Sequence, residues 1–217
     1  GTAGLNARRA AERAGSSALM IDPGPLGTTC ARVGCMPSKL LIAAAEAVHQ
    51  AHTGDTFGFT TDVTVHGAKV LERVRRERDR FVGFVKQATD EHADNGRLID
   101  GRAQVTGPHT LVVERDGVPV ATVNFRALVV ATGSTPVMPP PFGGLGDRVL
   151  TSDQIFELPD LPESLLVLGP GVIGLEIGQA MHRLGVQVTI LGRGGTIGPL
   201  QDPQMQAKAL AIYTDEL

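Results

Sequence analysis

The alternation of hydrophobic and polar positions predicts an α/β chain in which short strands follow amphipathic helices. Apolar residues recur every three or four positions in several stretches, a spacing typical of helices that bury one face. The predicted helices lie at 5–14, 37–50, 67–93 and 172–184. The third is highly charged, and its predicted apolar stripe consists of Val70, Val74, Phe81, Phe84 and Val85.

Short apolar runs bounded by turn residues predict the strands between these helices. They lie at 18–21, 97–106, 110–115, 118–125, 127–131, 164–168 and 186–191. Asp116 and Gly117 separate two of them and supply the chemistry of a hairpin turn. The strand that begins at Ala127 is predicted to be buried and to run into a tight turn. A proline-rich stretch at 135–163 has the composition of a connection between domains.

A complete dinucleotide fingerprint lies between the strands at 164–168 and 186–191. Gly169, Gly171 and Gly174 stand at its turn and open the following helix. Such glycines let the backbone approach a pyrophosphate and let the helix pack closely on the strand. Strand, glycine turn, helix and strand occur in the required order, so we interpret this segment as a nucleotide site.

The start of the chain carries the second half of the same pattern. Gly1 and Gly4 match the second and third glycines, and Asp22 follows Gly4 by 18 residues, where a carboxylate binds a ribose hydroxyl. The strand that should precede the turn is missing, so we expect the sequence to be a piece of a longer chain. The predicted fold class is α/β, with tandem Rossmann-like dinucleotide-binding domains that are both truncated here.

Composition and charge argue against several classes of function. The chain has 217 residues, 42% of them hydrophobic, and a net charge of −3. No basic stripe stands out, so a nucleic-acid partner is not expected. No apolar run reaches the roughly 18 residues that a membrane helix needs, and no signal peptide is visible, so a cytoplasmic protein is expected.

The only two cysteines, Cys30 and Cys35, lie in the stretch 27–39 with four residues between them. Pro37 is typical of the first turn of a helix, so Cys35 is predicted to lie at or just before a helix N-terminus. That position favours an anion, Lys39 one turn later adds a positive charge, and the thiolate is the reactive form of cysteine. The pattern favours a redox-active pair, with Cys30 on a loop and exposed to a partner, and Cys35 at the helix start and held against the interior.

Three other interpretations of the cysteines remain open. A structural disulfide across so short a loop would stabilise the fold by on the order of 2 kcal/mol. A zinc site is a near miss, because the two residues between His49 and His52 are fewer than the usual three to five. The third interpretation is two unrelated buried cysteines. We predict no metal site.

Two nucleotide segments flanking a Cys-x4-Cys motif resemble the flavin-dependent pyridine nucleotide–disulfide oxidoreductases. Residues 27–39 are similar to the active-site signature of that family, and the ending Met36-Pro37-Ser38-Lys39 is most similar to dihydrolipoamide dehydrogenases. Thr28 departs from the family pattern, which has glycine at this position. We expect the threonine only to reduce the conformational freedom of the loop. The resemblance covers essentially all residues but only about the N-terminal half of such an enzyme.

The resemblance implies a role for each candidate residue. Those implied to bind FAD are Gly1, Gly4, Asp22, Thr29, Lys39, Ala103, Thr132 and Gly133. Those implied to bind the nicotinamide nucleotide are Gly169, Gly171 and Gly174. The implied catalytic residues are Cys30 as the thiol that exchanges with substrate, Cys35 as the thiol beside the flavin, and Lys39 paired with Glu176. The expected domains are an FAD-binding domain at 1–150 and the start of an NAD(P)-binding domain at 151–217.

The sequence constrains the substrate and the nicotinamide cofactor less than it constrains the family. Dihydrolipoamide is the first expectation, while a mercuric or other disulfide reductase and a non-catalytic nucleotide-binding module remain alternatives. At the end of the second fingerprint stand Gly192 and Arg193, without the acid that an NAD site prefers, so we expect NADP(H) to be accepted at least as well as NAD(H). The resemblance also implies a homodimer and a catalytic His-Glu pair outside this sequence, so we expect residues 1–217 alone to bind FAD poorly and to show no turnover.

Overall fold

The computed structural model describes residues 1–217, which form two compact units. The first unit contains Gly1–Arg32 and Asp79–Thr135, and the second contains Val33–Arg78 and Pro136–Leu217. The helices are α1 Thr2–Arg13, α2 Thr29–Arg32, α3 Cys35–His52, α4 Gly67–Asp94, α5 Val172–Arg183 and α6 Pro203–Glu216. The strands are β1 Met20–Ile21, β2 Leu98–Ile99, β3 Arg102–Gly107, β4 Thr110–Arg115, β5 Val118–Asn124, β6 Ser164–Leu168 and β7 Gln187–Leu191. The predicted α/β fold class is confirmed.

The first unit holds two small sheets. β1 pairs in parallel with β2, which places the end of β1 beside Ile99. β3, β4 and β5 form an antiparallel sheet in that order, and its buried centre is Leu111 and Val113 of β4. The hairpin turn at Asp116 and Gly117 is confirmed, since both residues have the positive φ that such turns require.

The second unit is built around a parallel pair of strands covered by helices. β6 pairs with β7 in register from Ser164↔Gln187 to Leu168↔Leu191. Helix α5 connects the two strands and packs on them, with Gly178 against Val188 and Ile190, which makes a βαβ unit. Its core joins residues from α3, α4, α5 and the turn at Ile155–Glu157, and the fully buried members include Leu41, Leu71, Phe156 and Met181.

The predicted stripe of α4 is partly wrong. Phe81 and Phe84 are 40% and 62% exposed, whereas the buried positions of the helix include Arg78, Thr89 and His92. The buried face follows a spacing of three and four residues but contains polar side chains. A pattern built only from apolar residues therefore selected the wrong face in the second half of the helix.

Two predicted strands also differ. The strand at 97–106 divides into β2 and β3, because Gly101 between them has φ +153° and no room for a Cβ beside Val113. Residues 127–131 form no strand, and Val129 and Val130 are 65% and 75% exposed. An extended segment becomes a sheet strand only when another strand takes up its backbone hydrogen bonds. Helices α2 and α6 were not predicted. None of the helices is both long and apolar enough to span a membrane.

Candidate functional site

The first fingerprint brings Asp22 to the start of α1. Helix α1 begins after Gly1, and Asp22 directly follows β1. One carboxylate oxygen of Asp22 accepts a hydrogen bond from the Gly24 N–H at 2.9 Å, and the other lies 3.5 Å from the Gly1 amino group. A carboxylate beside a helix start suits a ribose whose pyrophosphate lies over that helix end.

The other predicted residues of the first unit lie on short segments. Thr132 and Gly133 are exposed, and Gly133 has φ +74°, the left-handed conformation that a tight turn requires. Ala103 pairs with Val113 on β3, an edge strand with one row of backbone groups facing away from its only neighbour. Thr29 and Cys30 lie in helix α2, and Cys30 is half-buried. The prediction of Cys30 on an exposed loop is therefore wrong.

Thr28 explains why a helix forms at this point. Its hydroxyl accepts a hydrogen bond from the Ala31 N–H at 3.1 Å and its carbonyl accepts one from the Arg32 N–H at 3.0 Å, so Thr28 caps α2. Its φ is +66°, a conformation that favours glycine and costs a β-branched residue about 1–2 kcal/mol. The glycine expected at this position fits that backbone, and Thr28 offsets the strain with its cap.

In the second unit the glycines shape the turn between β6 and α5. Gly169 has φ +106°, and its N–H donates to the Leu191 carbonyl at 2.7 Å, which ties the turn to the end of β7. A Cβ on Gly174 would overlap the Gly169 carbonyl oxygen, so this position admits only glycine. Gly171 has no atoms within 4 Å of a Cβ position, so the approach to the helix start is open there.

The two fingerprint helices leave their first N–H groups available for a ligand. Both α1 and α5 begin after a glycine that makes no side-chain cap, and neither has an acidic residue in its first turn. By contrast, α6 is capped by Asp202, whose carboxylate accepts from the N–H groups of Gln204 and Met205. The uncapped starts fit the pyrophosphate groups of dinucleotides, because unsatisfied N–H groups and the helix dipole attract anions.

Cys35 is the first residue of α3, so its predicted place at a helix start is confirmed, but its side chain is exposed and the prediction that it is held against the interior is wrong. Its carbonyl accepts a hydrogen bond from the Ser38 hydroxyl at 3.1 Å. Lys39, one turn later, forms the predicted ion pair with Glu176 of α5, with 2.6 Å between Nζ and Oε1. Both side chains are substantially exposed, so the pair contributes at most about 1 kcal/mol to stability and mainly fixes the position of the lysine.

A second ion pair joins the same two helices two turns further on. Arg183 of α5 contacts Glu46 of α3 at 2.7 Å and Glu216 of α6 at 2.6 Å. Hydrogen bonding to Glu216 raises the pKa of Arg183. Burial acts to raise the pKa of Glu216, but hydrogen bonds from Arg183 and Gln179 outweigh it and hold that pKa below its usual value. The two ion pairs bracket the contact between α3 and α5, so they hold Cys35 at a defined position relative to the fingerprint helix.

Comparison with known proteins identifies the family. The profile described as "Pyridine nucleotide-disulphide oxidoreductase" matches residues 1–216. The chain belongs to this family. Its members depend on FAD and use a nicotinamide nucleotide. Both uncapped helix starts, α1 after Gly1 and α5 after Gly171, fit nucleotide cofactors of this kind.

Individual relatives span several activities. The chain is 33% identical over 209 residues to a dihydrolipoyl dehydrogenase of Bacillus subtilis, covering 93% of this chain and 44% of that protein. It is 36% identical to a mercuric reductase of Streptomyces lividans, covering 100% of this chain and 46% of that protein. A solved structure, the Cu(II) complex of a mutant of the HOCl-induced flavoprotein disulfide reductase RclA from Escherichia coli, has a TM-score of 0.74 at 25% identity, covering 98% of this chain and 45% of that one. The chain thus spans about half the length of the relatives it matches.

Sequence reasoning missed Pro170 and the loop after β7. The Pro170 ring lies where a Cβ of Gly192 would stand, with 2.6 Å to Cγ and 2.8 Å to Cδ. Beyond Gly192, the Gly198 N–H donates to the Pro170 carbonyl at 2.6 Å. The only sequence signal of this contact is the pairing of a proline inside the glycine turn with a glycine where an acid is usual.

Proposed function

We propose that this protein is an FAD-dependent disulfide oxidoreductase that passes electrons between a nicotinamide nucleotide, flavin and a redox-active Cys30–Cys35 pair. The observation that carries the proposal is the position of Cys35 at the first residue of α3, one turn before a lysine that the fingerprint helix holds. The family and the two nucleotide segments support the same conclusion. Residues 1–150 would serve FAD and residues 151–217 the nicotinamide nucleotide.

Each group of residues has a distinct task in this proposal. Gly1, Gly4 and Asp22 bind the adenosine diphosphate part of FAD, and Ala103 meets its adenine through the backbone. Thr29, Thr132 and Gly133 line the rest of the flavin cofactor. Gly169, Gly171 and Gly174 bind the pyrophosphate of the nicotinamide nucleotide, and Arg193 meets its adenosine end. Lys39, oriented by Glu176, stabilises negative charge at the flavin and at the Cys35 thiolate.

The proposed electron transfer balances over two half-reactions. FAD, when bound, supplies the acceptor for the hydride of NAD(P)H, since a disulfide does not accept hydride directly. Two electrons and a proton then convert the Cys30–Cys35 disulfide into one thiol and one thiolate. Cys30 attacks the substrate disulfide, a mixed disulfide forms, and Cys35 displaces the second substrate thiol as the protein disulfide closes. With a dithiol substrate the same steps run in reverse and reduce NAD(P)+.

Dihydrolipoamide is the first substrate in this proposal, because Met36-Pro37-Ser38-Lys39 is most similar to the dehydrogenases that act on it. A mercuric reductase is the second candidate, favoured by the 36% identity to such an enzyme. We propose a homodimer, as is general among members of the family.

The test measures activity and visible spectra of the protein expressed from its full reading frame. We expect a bound flavin spectrum and turnover of NADPH or NADH with one of three acceptors: lipoamide, glutathione disulfide or Hg(II). Cys30→Ser should abolish turnover yet keep a thiolate–flavin charge-transfer band, and Cys35→Ser should abolish both. Ser38→Ala is the control: it removes a hydroxyl group from the same helix without changing a cysteine, and it should retain turnover. A yellow protein whose double Cys→Ser variant is fully active would refute the redox role, and a protein that binds nucleotide without any turnover would be a binding module.

A further inference from the structure

Two ion pairs join α3 to α5 at the same spacing and with opposite polarity. Glu176 follows Lys39 by 137 residues, and Arg183 follows Glu46 by 137 residues (176 − 39 = 183 − 46). Because this shift is constant, the two helices run in the same direction. The pairs lie two turns apart on each helix, about 10 Å along its axis. The cation is on α3 in the first pair and on α5 in the second.

The opposite polarity favours one alignment of the two helices over its neighbours. If α3 moved along α5 by two turns, Lys39 would face Arg183 in one direction, and Glu46 would face Glu176 in the other. Both shifted alignments bring like charges together, and like charges repel. Charged pairs across a helix contact set the orientation of the helices for this reason. The Glu46–Arg183 pair therefore bears on where α3 lies, beyond any contribution to stability.

The core holds α3 by few large side chains. Pro37 and Leu41 are fully buried, and both belong to the first two turns of the helix. Ala45, the buried residue beside Glu46, offers only a methyl group. The direction of α3 beyond Leu41 therefore depends on its contact through Glu46. A helix moves as a rigid element, so a change of direction in its later turns also displaces its first residue, Cys35.

Arg183 offers α3 a donor that is itself held in place. Its Nη1 donates to Glu46 Oε2 at 2.7 Å, while its Nε donates to Glu216 Oε1 of α6 at 2.6 Å. The other carboxylate oxygen of Glu46 accepts from Gln50 Nε2 at 3.0 Å, so both oxygens of Glu46 are bonded. The planar guanidinium holds two carboxylates in fixed directions, which a lysine cannot do. Two carboxylates thus share one arginine, but only Glu46 belongs to the helix that carries Cys35.

We propose that Glu46 is a positioning residue: held by Arg183, it fixes the direction of α3 and so keeps the Cys35 sulfur and the Lys39 ammonium in the place that the redox reaction needs. This inference rests on the proposed redox function and names a residue, outside the reacting groups, on which that function depends. Glu46 acts through the position of α3. Its loss should therefore change the spectroscopic signal of Cys35 beside the flavin as well as the stability of the protein.

The experiment compares Glu46→Gln with Glu216→Gln in the flavoprotein expressed from its full reading frame. Each variant removes one carboxylate from the same guanidinium, so both should lower the free energy of unfolding by similar amounts in urea. Only Glu46→Gln should weaken the charge-transfer absorbance between the Cys35 thiolate and the flavin, by about twofold, and lower kcat about tenfold, because small displacements of reacting groups are costly. The KM for the nicotinamide nucleotide should stay unchanged, since the start of α5 is not altered.

A double-mutant cycle tests whether the two ion pairs hold the same helix. Glu176→Gln removes the first pair, and the remaining Glu46–Arg183 pair should retain part of the alignment. Glu46→Gln/Glu176→Gln should therefore reduce the charge-transfer absorbance by more than the product of the two single reductions. Urea unfolding of each variant confirms that the comparison is made between folded proteins.

Each other outcome overturns a defined statement. Equal losses of absorbance in Glu46→Gln and Glu216→Gln would limit Glu46 to a role in stability and refute the positioning role. Single reductions that simply multiply in the double variant would contradict a shared effect on the direction of α3. A charge-transfer band that Glu46→Gln leaves unchanged refutes this inference alone, and the proposed function stands. A folded parent protein that binds no flavin, or that lacks the band, refutes the proposed function, and this inference fails with it.

Discussion

The two fingerprint segments, 1–22 and 171–192, have the same backbone plan and different surfaces. They align without a gap at a constant shift of 170 positions, and each has a glycine before a 12-residue helix. Six residues are identical in the two segments: Gly1/Gly171, Gly4/Gly174, Leu5/Leu175, Ala10/Ala180, Arg13/Arg183 and Gly15/Gly185. The comparison shows which features the shared glycine turn and helix require and which ones each unit adapts to its own neighbours.

Both helices end in the same way. The N–H groups of Gly15 and Ser16 donate to the carbonyls of Glu12 and Ala11, and Gly185 and Val186 donate to His182 and Met181. In each case the glycine is left-handed, with φ +75° and +98°. These are the paired hydrogen bonds of a Schellman motif, made entirely by backbone atoms.

The surfaces of the two helices differ. Only Leu5 is buried on α1, whereas five residues are buried on α5. Where α5 has Gly178, which packs against Ile190 of β7, α1 has Arg8, which donates to His92 of α4 at 2.8 Å. One helix therefore packs on apolar strands and the other makes a buried polar contact.

The third glycine gives the largest expected difference between the segments. A Cβ on Gly174 would overlap a backbone carbonyl, whereas one on Gly4 would lie 3.7 Å from Ala131 Cβ. In nucleotide-free protein, Gly174→Ala should lower the free energy of unfolding by about 3 kcal/mol. Gly4→Ala should raise it by about 0.5 kcal/mol, because alanine is the better helix former. Urea unfolding followed by circular dichroism measures both, and equal losses would contradict the difference in packing.

The arginine shared by the two segments, Arg13 in α1 and Arg183 in α5, has different partners in each unit. Arg183 is 18% exposed and bonded to Glu46 and Glu216, while Arg13 is exposed and reaches only the Arg9 carbonyl, at 3.3 Å. Arg183→Ala should cost about 2 kcal/mol, because it leaves two partly buried carboxylates without a partner. Arg13→Ala should change stability by less than about 0.5 kcal/mol. Urea unfolding followed by circular dichroism measures the change in the free energy of unfolding for both variants. A similar change at both positions would show that the ion pairs of Arg183 are not stabilising.

The smallest effect is a pH dependence confined to the first unit. Burial lowers the pKa of His92 from 6.5, the positive charge of Arg8 lowers it further, that of Arg97 adds to this, and Glu12 partly offsets these effects. The lowered pKa means that His92 takes up a proton at a lower pH in the folded state than in the unfolded chain, whose histidines take up a proton near pH 6.5. Stability from this source is complete above that pH and declines as the pH falls below it, until the folded pKa is reached.

Two variants isolate that contribution. His92→Gln should flatten the decline in stability between pH 6.5 and pH 5, whereas His66→Gln, at an exposed histidine of the second unit, should leave it unchanged. Unfolding midpoints at several pH values give the slope. The Glu216 contribution of the second unit is lost only at lower pH, as the pH falls through the lowered pKa of that carboxyl. A slope that persists in His92→Gln would assign the decline to other groups.

Local patterns predicted most elements because local chemistry determines them. The strand at Thr110–Arg115 and the strand at Ser164–Leu168 lie where alternation and turn residues put them. Cys35 begins its helix as Pro37 indicated, and Lys39 meets Glu176 although 137 residues separate them. That ion pair came from the family resemblance, since spacing alone does not bring two distant helices together.

The wrong predictions concern positions whose environment is set by tertiary contacts. His92 and Arg78 are buried next to partners in other segments: Arg8 bonds to His92 Nδ1, and Glu157 pairs with Arg78. No local pattern reports those partners. Cys30 is helical because Thr28 adopts a left-handed backbone that threonine rarely takes. The contact of Pro170 with Gly192 likewise joins two loops across a strand pair, so it became visible only with the fold.

The Schellman ends have a consequence for how such a segment can be inherited. Because the start and the end of each helix are fixed by glycines and main-chain hydrogen bonds, the bounds of the helix do not depend on which side chains surround it. The outer surface of such a segment can therefore change, one substitution at a time, while its glycine turn stays intact. Of the six residues shared among the 22 aligned positions, three are the glycines of the turn and of the helix end.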